Sequence, residues 1–264
     1  MSLAADAFRL DGKVVVVTGA ARGIGEAVAV TAASFGADVA VCDRDAERLE
    51  QTVAKVERLG HRVHAEVFDV RDGGAVADFS GSVGRALDRV DGVVNNAGGG
   101  FAADFVDVNE RGQDALIREN FTSVASVIRA FVPLMPPPVP ARSGGGSLVN
   151  ITSIEAHRAG PRFAVYSAMK AAVTNLTMSL ALELGDRHIR VNCVAPDVIP
   201  TPGVGEMPVT TPLPYAGDVD DVAAAVVYLL SDASRFVTGT TVHVDGGNRA
   251  AGGWRRGPEG NFIT

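Results

Sequence analysis

Short runs of β-branched residues alternate with longer amphipathic stretches along nearly the whole chain, and this alternation limits the fold more than any other feature. Residues 13–17, 38–42, 62–68, 92–94, 147–151, 190–194 and 241–244 carry strand patterns. Between them, residues 25–35, 46–59, 73–87, 110–133, 164–184 and 219–230 carry helical periodicity, bounded by Gly, Asp or Pro signals. Parallel neighbours cannot be joined by a tight turn; each needs a crossover, usually a helix and almost always right-handed. Continuous alternation therefore predicts an α/β fold, a doubly wound Rossmann-type domain whose seven-stranded parallel sheet is flanked by helices. The 264 residues suit one such domain, without internal repeat or second unit.

A formal charge of −7 and the lack of a Lys/Arg cluster argue against nucleic acid or an anionic membrane as partner. A diffusible small molecule is the expected one. The two cysteines, Cys42 and Cys193, each sit in an apolar run and read as small core residues of a reducing compartment. Residues 1–13 lack the pattern of a signal peptide, and no apolar run reaches the ~18 residues needed to span a bilayer, so a cytoplasmic protein is expected. His157 has no companions at metal-ligand spacing, and no metal is expected.

Three irregular stretches interrupt the pattern. Pro136 to Gly146 leads into the fifth strand at the amino edge of the sheet, away from the edge where α/β folds bind ligands, and reads as a connector. Residues 200–217 follow the sixth strand at the carboxyl edge and read as a substrate lid. Residues 246–264 form an irregular Gly/Arg tail that contains the single tryptophan, Trp254.

Thr18-Gly19-Ala20-Ala21-Arg22-Gly23-Ile24-Gly25 follows the first strand directly and opens the first helix. Glycines at such a turn let the backbone approach a pyrophosphate, which meets free N–H groups and the positive end of the helix dipole. Asp43 ends the second strand, where a carboxylate can accept hydrogen bonds from the adenosine ribose and repel a 2′-phosphate. Arg22 and Arg44 pull the other way, since either could pair with a phosphate. Asp43 could also be a helix N-cap, in competition with Asp45. It ranks first because it occupies the ribose position itself, so NAD(H) is expected in preference to NADP(H).

The spacing T-G-x-x-x-G-x-G, with Asn95-Asn96-Ala97-Gly98 after the fourth strand and Tyr166-Ser167-Ala168-Met169-Lys170 on a helix, resembles the short-chain dehydrogenase/reductase (SDR) family. The motifs run in family order from Thr18 to Val244-Asp245-Gly246-Gly247. The resemblance implies an enzyme acting on CH–OH groups. It assigns Gly19, Arg22, Gly23, Ile24 and Gly25 to the phosphate cradle, and Asp43 and Arg44 to the adenosine ribose. Asp69, Val70, Asn96, Ala97 and Gly98 fall on the adenine side, and Pro196, Ile199 and Thr201 beside the nicotinamide.

Tyr166 and Lys170, four residues apart on a helix, share one face, and an ammonium beside a phenol favours phenolate. Ser153 stands at the carboxyl end of the fifth strand, where its hydroxyl could hold a substrate oxygen; Thr152, on the other side of the strand, is the alternative, and the resemblance selects Ser153. Asn120 matches the family asparagine whose bound water feeds a proton relay through the lysine. The implied catalytic set is Asn120, Ser153, Tyr166 and Lys170. It would interconvert a secondary alcohol and a ketone, with Tyr166 taking the hydroxyl proton and hydride passing to the nicotinamide C4, while Tyr166 and Lys170 also contact the cofactor.

Asp197 departs from the pattern, standing where the family carries glycine in P-G-x-I-x-T. The stretch after it looks short for a lid, and an open cleft suits a bulky substrate such as a steroid, terpenoid or acyl thioester. Glu155 and His157 either line that pocket or are exposed loop residues. Two rival functions remain: an NADPH-dependent 3-oxoacyl thioester reductase, opposed by Asp43, and a non-catalytic NAD-binding or sensing module, which would have no use for Ser153. Many SDR relatives form tetramers, and a homotetramer is expected by resemblance.

Overall fold

The computed structural model describes residues 5–137, 145–201, 208–257 and 259–263. Strands β1 (Val14–Thr18), β2 (Asp38–Asp43), β3 (Val63–Val67), β4 (Gly92–Asn95), β5 (Gly146–Ile151), β6 (Ile189–Pro196) and β7 (Thr241–Val244) form one parallel sheet in the order β3-β2-β1-β4-β5-β6-β7. The expected seven strands and doubly wound α/β sheet are thus present.

Alternation along β1 shows how the two faces are covered. Val15 and Val17 enter one core with Val28, Ala29, Ala32 and Ala33 of α1 (Gly23–Ser34) and Val222, Ala223 and Val226 of α7 (Val219–Leu230). Val14 and Val16 enter the opposite core with Phe79 of α3 (Gly73–Leu87), Phe131 of α5 (Ser123–Phe131) and Val173 of α6 (Ala164–Glu183). All four valines are at most 2% exposed, and burial stabilises by about 1.5–3 kcal/mol for each such side chain. The small residues of α1 let it lie close to β1 and α7, which fixes where the first helix begins.

Helix starts follow the local chemistry. Asp45 caps α2 (Ala46–Arg58) by accepting from Arg48 N, Asp72 caps α3, Asn109 caps α4 (Glu110–Ile117), and Asp218 and Asp221 form a capping box on α7. The first turn of α1 is different: its N-cap, Arg22, makes no side-chain hydrogen bond to it. The helix expected over residues 110–133 is divided, because Arg118–Thr122 widens into a π turn between α4 and α5. Helical periodicity in the sequence cannot register one extra residue in a turn.

The connector's residues 138–144 and the lid's residues 202–207 lie outside the described residues. The tail is more ordered than its composition suggested. It carries a short helix, α8 (Asn248–Ala251), and a hairpin of β8 (Arg255–Arg256) with β9 (Phe262–Ile263). Arg256 N donates to Thr210 O at 3.2 Å and Arg256 Nη2 to Pro212 O at 2.7 Å, while Leu213 N donates to Gly246 O at 3.0 Å. Tail and lid segment therefore hold each other. The strand order reverses between β1 and β4, which opens a crevice at their carboxyl ends, and the loops after β4, β5 and β6 gather on the same edge.

Candidate active site

The loop after β1 is built by backbone constraint. Gly19 and Gly23 adopt φ of +68° and +60°, a region that disfavours side chains. Gly19 N and Ala20 N both donate to Cys42 O, and Thr52 Oγ1 donates to Ala20 O at 2.9 Å, tying the loop to β2 and α2. Gly25 allows the closest approach: a Cβ there would lie 2.0 Å from Gly19 O and 2.4 Å from Asn96 Nδ2. With no side chain capping α1, its first N–H groups face the crevice over a bare glycine surface, as an anionic pyrophosphate requires.

Asp43 is partly buried at the end of β2. Its Oδ2 accepts from Ala21 N and its Oδ1 from Asp45 N, both at 3.0 Å. Asp45 caps α2, so the two competing roles divide between the two aspartates, and each Asp43 oxygen keeps acceptor capacity. Arg22 and Arg44 are exposed at the rim. Asp69 is clasped by Arg71, with Nε at 3.0 Å from both oxygens, and this guanidinium holds the Asp69 carboxyl below its ordinary pKa. Val70 beside it is buried.

Asn96 is committed to the loop: its Nδ2 donates to Thr18 O at 3.0 Å and Gly19 O at 2.9 Å. Its own N–H and that of Ala97 donate to Thr18 Oγ1, both at 3.1 Å. The motif after β4 thus buttresses the cradle through its side chain and leaves backbone facing the crevice. Gly98 is hemmed by Asn120 Oδ1 and Lys170 Nζ, which a Cβ would approach to 2.9 and 3.1 Å. A Cβ at Gly100 would meet the Tyr166 ring at 3.0 Å.

Asn120 is fully buried in the π turn, where it clamps Gly99 from both sides. Its Oδ1 accepts from Gly99 N at 3.2 Å and its Nδ2 donates to Gly99 O at 2.8 Å. The widened turn aims this amide at the β4 loop, a use of π turns that recurs at functional sites. Lys170 is 4% exposed; its Nζ donates to Ile151 O at 3.0 Å and stands 5.6 Å from the centroid of the Tyr166 ring.

Burial decides the protonation of this pair. It pushes the Lys170 ammonium down to about 8, and it pushes the Tyr166 phenol up to about 12, with Ser153 opposing the rise by hydrogen bonding and Glu155 adding to it. Each charge is costly in this buried place.

Ser153 is buried just past β5. Thr152 is occupied elsewhere, donating to Val194 O at 3.2 Å, so Ser153 is the hydroxyl left facing Tyr166. Ser153 Oγ also donates to Glu155 Oε2, and Glu155 Oε1 accepts from Arg158 Nη2 at 3.2 Å. Arg158 Nη2 reaches Asp197 Oδ1 at 3.4 Å, and Asn248 Nδ2 donates to Asp197 Oδ2 at 2.5 Å.

This relay was invisible to sequence reasoning: Asp197 is 39 residues from Arg158 and 51 from Asn248. Asp197 also takes no positive φ, so the backbone here does not require glycine. Pro196 and Ile199 are buried beside it, and Thr201 packs 3.5 Å from where a Gly23 Cβ would lie, bringing the β6 loop to the phosphate cradle. Replacing Asp197 by Ala should leave Asn248 and Arg158 short of a partner. We expect a loss of about 1–2 kcal/mol, or roughly 2–8 °C in Tm by calorimetry; an unchanged Tm would mean that the relay contributes nothing to the fold.

Comparison with known proteins gives the family and the fold. The profile of the family described as enoyl-(acyl carrier protein) reductase matches residues 19–249. A 3-oxoacyl-(acyl-carrier-protein) reductase of Thermotoga maritima is 36% identical over 91% of this chain and 99% of its own. The 7alpha-hydroxysteroid dehydrogenase of Escherichia coli is 33% identical over 92% of this chain and 96% of its own. A solved 7alpha-hydroxysteroid dehydrogenase complexed with NADH and 7-oxo glycochenodeoxycholic acid superposes with a TM-score of 0.87 at 31% identity, covering 93% of this chain and 98% of that one. A short-chain dehydrogenase of Mycobacterium paratuberculosis bound to NAD gives 0.85 at 32% identity, covering 92% and 99%. Cradle, buttressing asparagine and Ser-Tyr-Lys centre thus lie on a sheet shared with these proteins, and the chain belongs to the short-chain dehydrogenase/reductase family of oxidoreductases acting on CH–OH groups.

Proposed function

We propose that this protein interconverts a secondary alcohol and its ketone with NAD(H). The observation that carries the reading is the convergence of Ser153, Tyr166 and buried Lys170 beside a glycine cradle whose far end is Asp43. The residues present fit a dinucleotide: Gly19, Arg22, Gly23, Ile24 and Gly25 receive the pyrophosphate, Asp43 the ribose hydroxyls, and Asp69 and Val70 the adenine edge. Ala97 and Gly98 offer backbone along the same path, and Pro196, Ile199 and Thr201 flank the nicotinamide. When bound, NAD(H) supplies the hydride chemistry.

The chain's own groups handle position and proton. Ser153 holds the substrate oxygen. Tyr166 Oη takes the hydroxyl proton during oxidation and returns it during reduction. Lys170 Nζ, beside the ring, favours the phenolate, and Asn120 fixes the β4 loop that closes against both.

Asp43 is the specific support for NAD(H), since a 2′-phosphate would face its carboxylate. Arg22 and Arg44 are the groups that would meet such a phosphate, which keeps NADPH-dependent reduction of a 3-oxoacyl thioester as the second reading. Titration with NADH and NADPH, followed by rates on a panel of secondary alcohols, separates the two. We expect NADH to bind at least tenfold more tightly, and the Asp43→Asn variant to lose on the order of 10- to 100-fold in that preference. Equal affinities in the wild type would remove Asp43 from the ribose role. For the substrate, a bulky steroid, terpenoid or acyl thioester remains the expected class to screen first.

A further inference from the structure

Ser153 has one proton, and in this structure the Glu155 carboxylate holds it. Glu155 N points back at Ser153 Oγ at 3.3 Å, so hydroxyl and carboxylate form a closed pair in the turn beyond β5. The other carboxylate oxygen, Oε1, is engaged by Arg158. Arg158 is itself braced by Asp197, whose side chain is only 6% exposed, and Asp197 by Asn248. Glu155 is therefore held in place from three loops. Its hydrogen bond to Ser153 sets it beside the hydroxyl that faces Tyr166.

A substrate oxygen that takes the Ser153 proton leaves Glu155 Oε2 without a donor. In a half-buried place with water displaced by substrate, an unpaired carboxylate oxygen is costly. A hydroxyl on the carbon next to the reacting one removes that cost. Oxygens on adjacent carbons lie about one hydrogen-bond length apart, so one can meet Ser153 while the other meets Glu155, its hydrogen-bonded neighbour.

We propose that Glu155 is a specificity-determining residue that selects substrates carrying a second hydroxyl adjacent to the reacting carbon: vicinal diols in oxidation and α-hydroxy ketones in reduction. This rests on the alcohol–ketone reading above. Ser153 and Tyr166 engage the reacting oxygen, and Glu155 Oε2 accepts from the neighbouring hydroxyl. The diol and NAD⁺ give the hydroxy ketone, NADH and one proton, the proton leaving through Tyr166. A ketone without an adjacent hydroxyl leaves Oε2 unpaired and is disfavoured.

The test compares matched pairs of increasing size: 2-butanol with 2,3-butanediol, cyclohexanol with 1,2-cyclohexanediol, and 1-indanol with 1,2-indanediol. Each is assayed with NAD⁺ on the wild type and on the Glu155→Ala and Glu155→Met variants. The expected result is a kcat/KM about ten- to a hundredfold higher for the diol of the best-fitting pair. Both variants should reduce the ratio to within about threefold of unity, chiefly by raising KM for the diol. A wild type that oxidises the single alcohol as well as the diol overturns the proposal and leaves the oxidoreductase reading intact. A diol preference that survives both substitutions in folded protein also overturns it. If a variant fails to fold, the wild-type ratio still decides, and turnover of neither member of any pair overturns both readings.

Discussion

Replacing Tyr166 by Phe should lower kcat for alcohol oxidation by about a thousandfold or more while changing NADH affinity by no more than a few fold. The ring is held by packing that phenylalanine retains, against Gly100 and against Phe163 at a centroid distance of 6.3 Å. Only the hydroxyl is lost, and with it the group proposed to exchange a proton with the substrate oxygen. NADH fluorescence titration and steady-state rates measured on the same preparation separate binding from chemistry; retained turnover would remove Tyr166 from the catalytic role. In the wild type, burial pushes Lys170 down to about 8 and Tyr166 up to about 12 before ligands enter. Oxidation releases a proton through this pair. Its kcat/KM should therefore rise from about pH 7 toward about pH 9, and the rise should disappear in the phenylalanine variant.

The second large effect belongs to Gly25. An alanine Cβ would meet the backbone Gly19 O at 2.0 Å and, at 2.4 Å, Asn96 Nδ2, a side-chain end pinned by its hydrogen bonds to Thr18 O and Gly19 O. The loop, the start of α1 and the asparagine that ties them must move apart. We expect NADH affinity to fall on the order of a hundredfold and Tm to drop by roughly 2–12 °C, from about 1–3 kcal/mol of overpacking in a domain of this size. Gly23→Ala is the instructive contrast. There the nearest atoms, in Thr201, are 3.5 Å away, so the strain comes from φ of +60° and the cradle keeps its shape. Near-normal cofactor binding by the Gly25 variant would show that the observed tight approach is not required for binding.

Much of this protein could be read from its sequence because the relevant physics is local. Hydrophobic period and helix signals located all seven strands within a residue or two at most ends, since a buried parallel strand needs a continuous apolar run. The glycine turn, Asp43 at a strand end and the four-residue spacing of Tyr166 and Lys170 are likewise properties of short segments. What period cannot express was missed. The 110–133 helix contains a π turn, because one inserted residue alters which way Asn120 points without altering which residues are apolar. The tail, featureless in composition, is organised by hydrogen bonds to Thr210 and Pro212 more than 40 residues away.

The same division applies to the site. Sequence named Asn96 as a residue on the adenine side; tertiary structure spends its amide on Thr18 and Gly19 carbonyls, a choice set by the distance between the β1 and β4 loops. Asp197 read as a foreign charge near the cofactor, and folding turned it into the hub that joins Arg158 to Asn248. Family order along the chain was enough to determine the fold and the family, because both depend on residue type and spacing within strand–helix units, and it supplied the tyrosine proposed to be catalytic. Which hydroxyl faces Tyr166, how far the lysine is desolvated and what holds Glu155 depend on contacts between loops that only the closed sheet brings together, and burial there sets their energies.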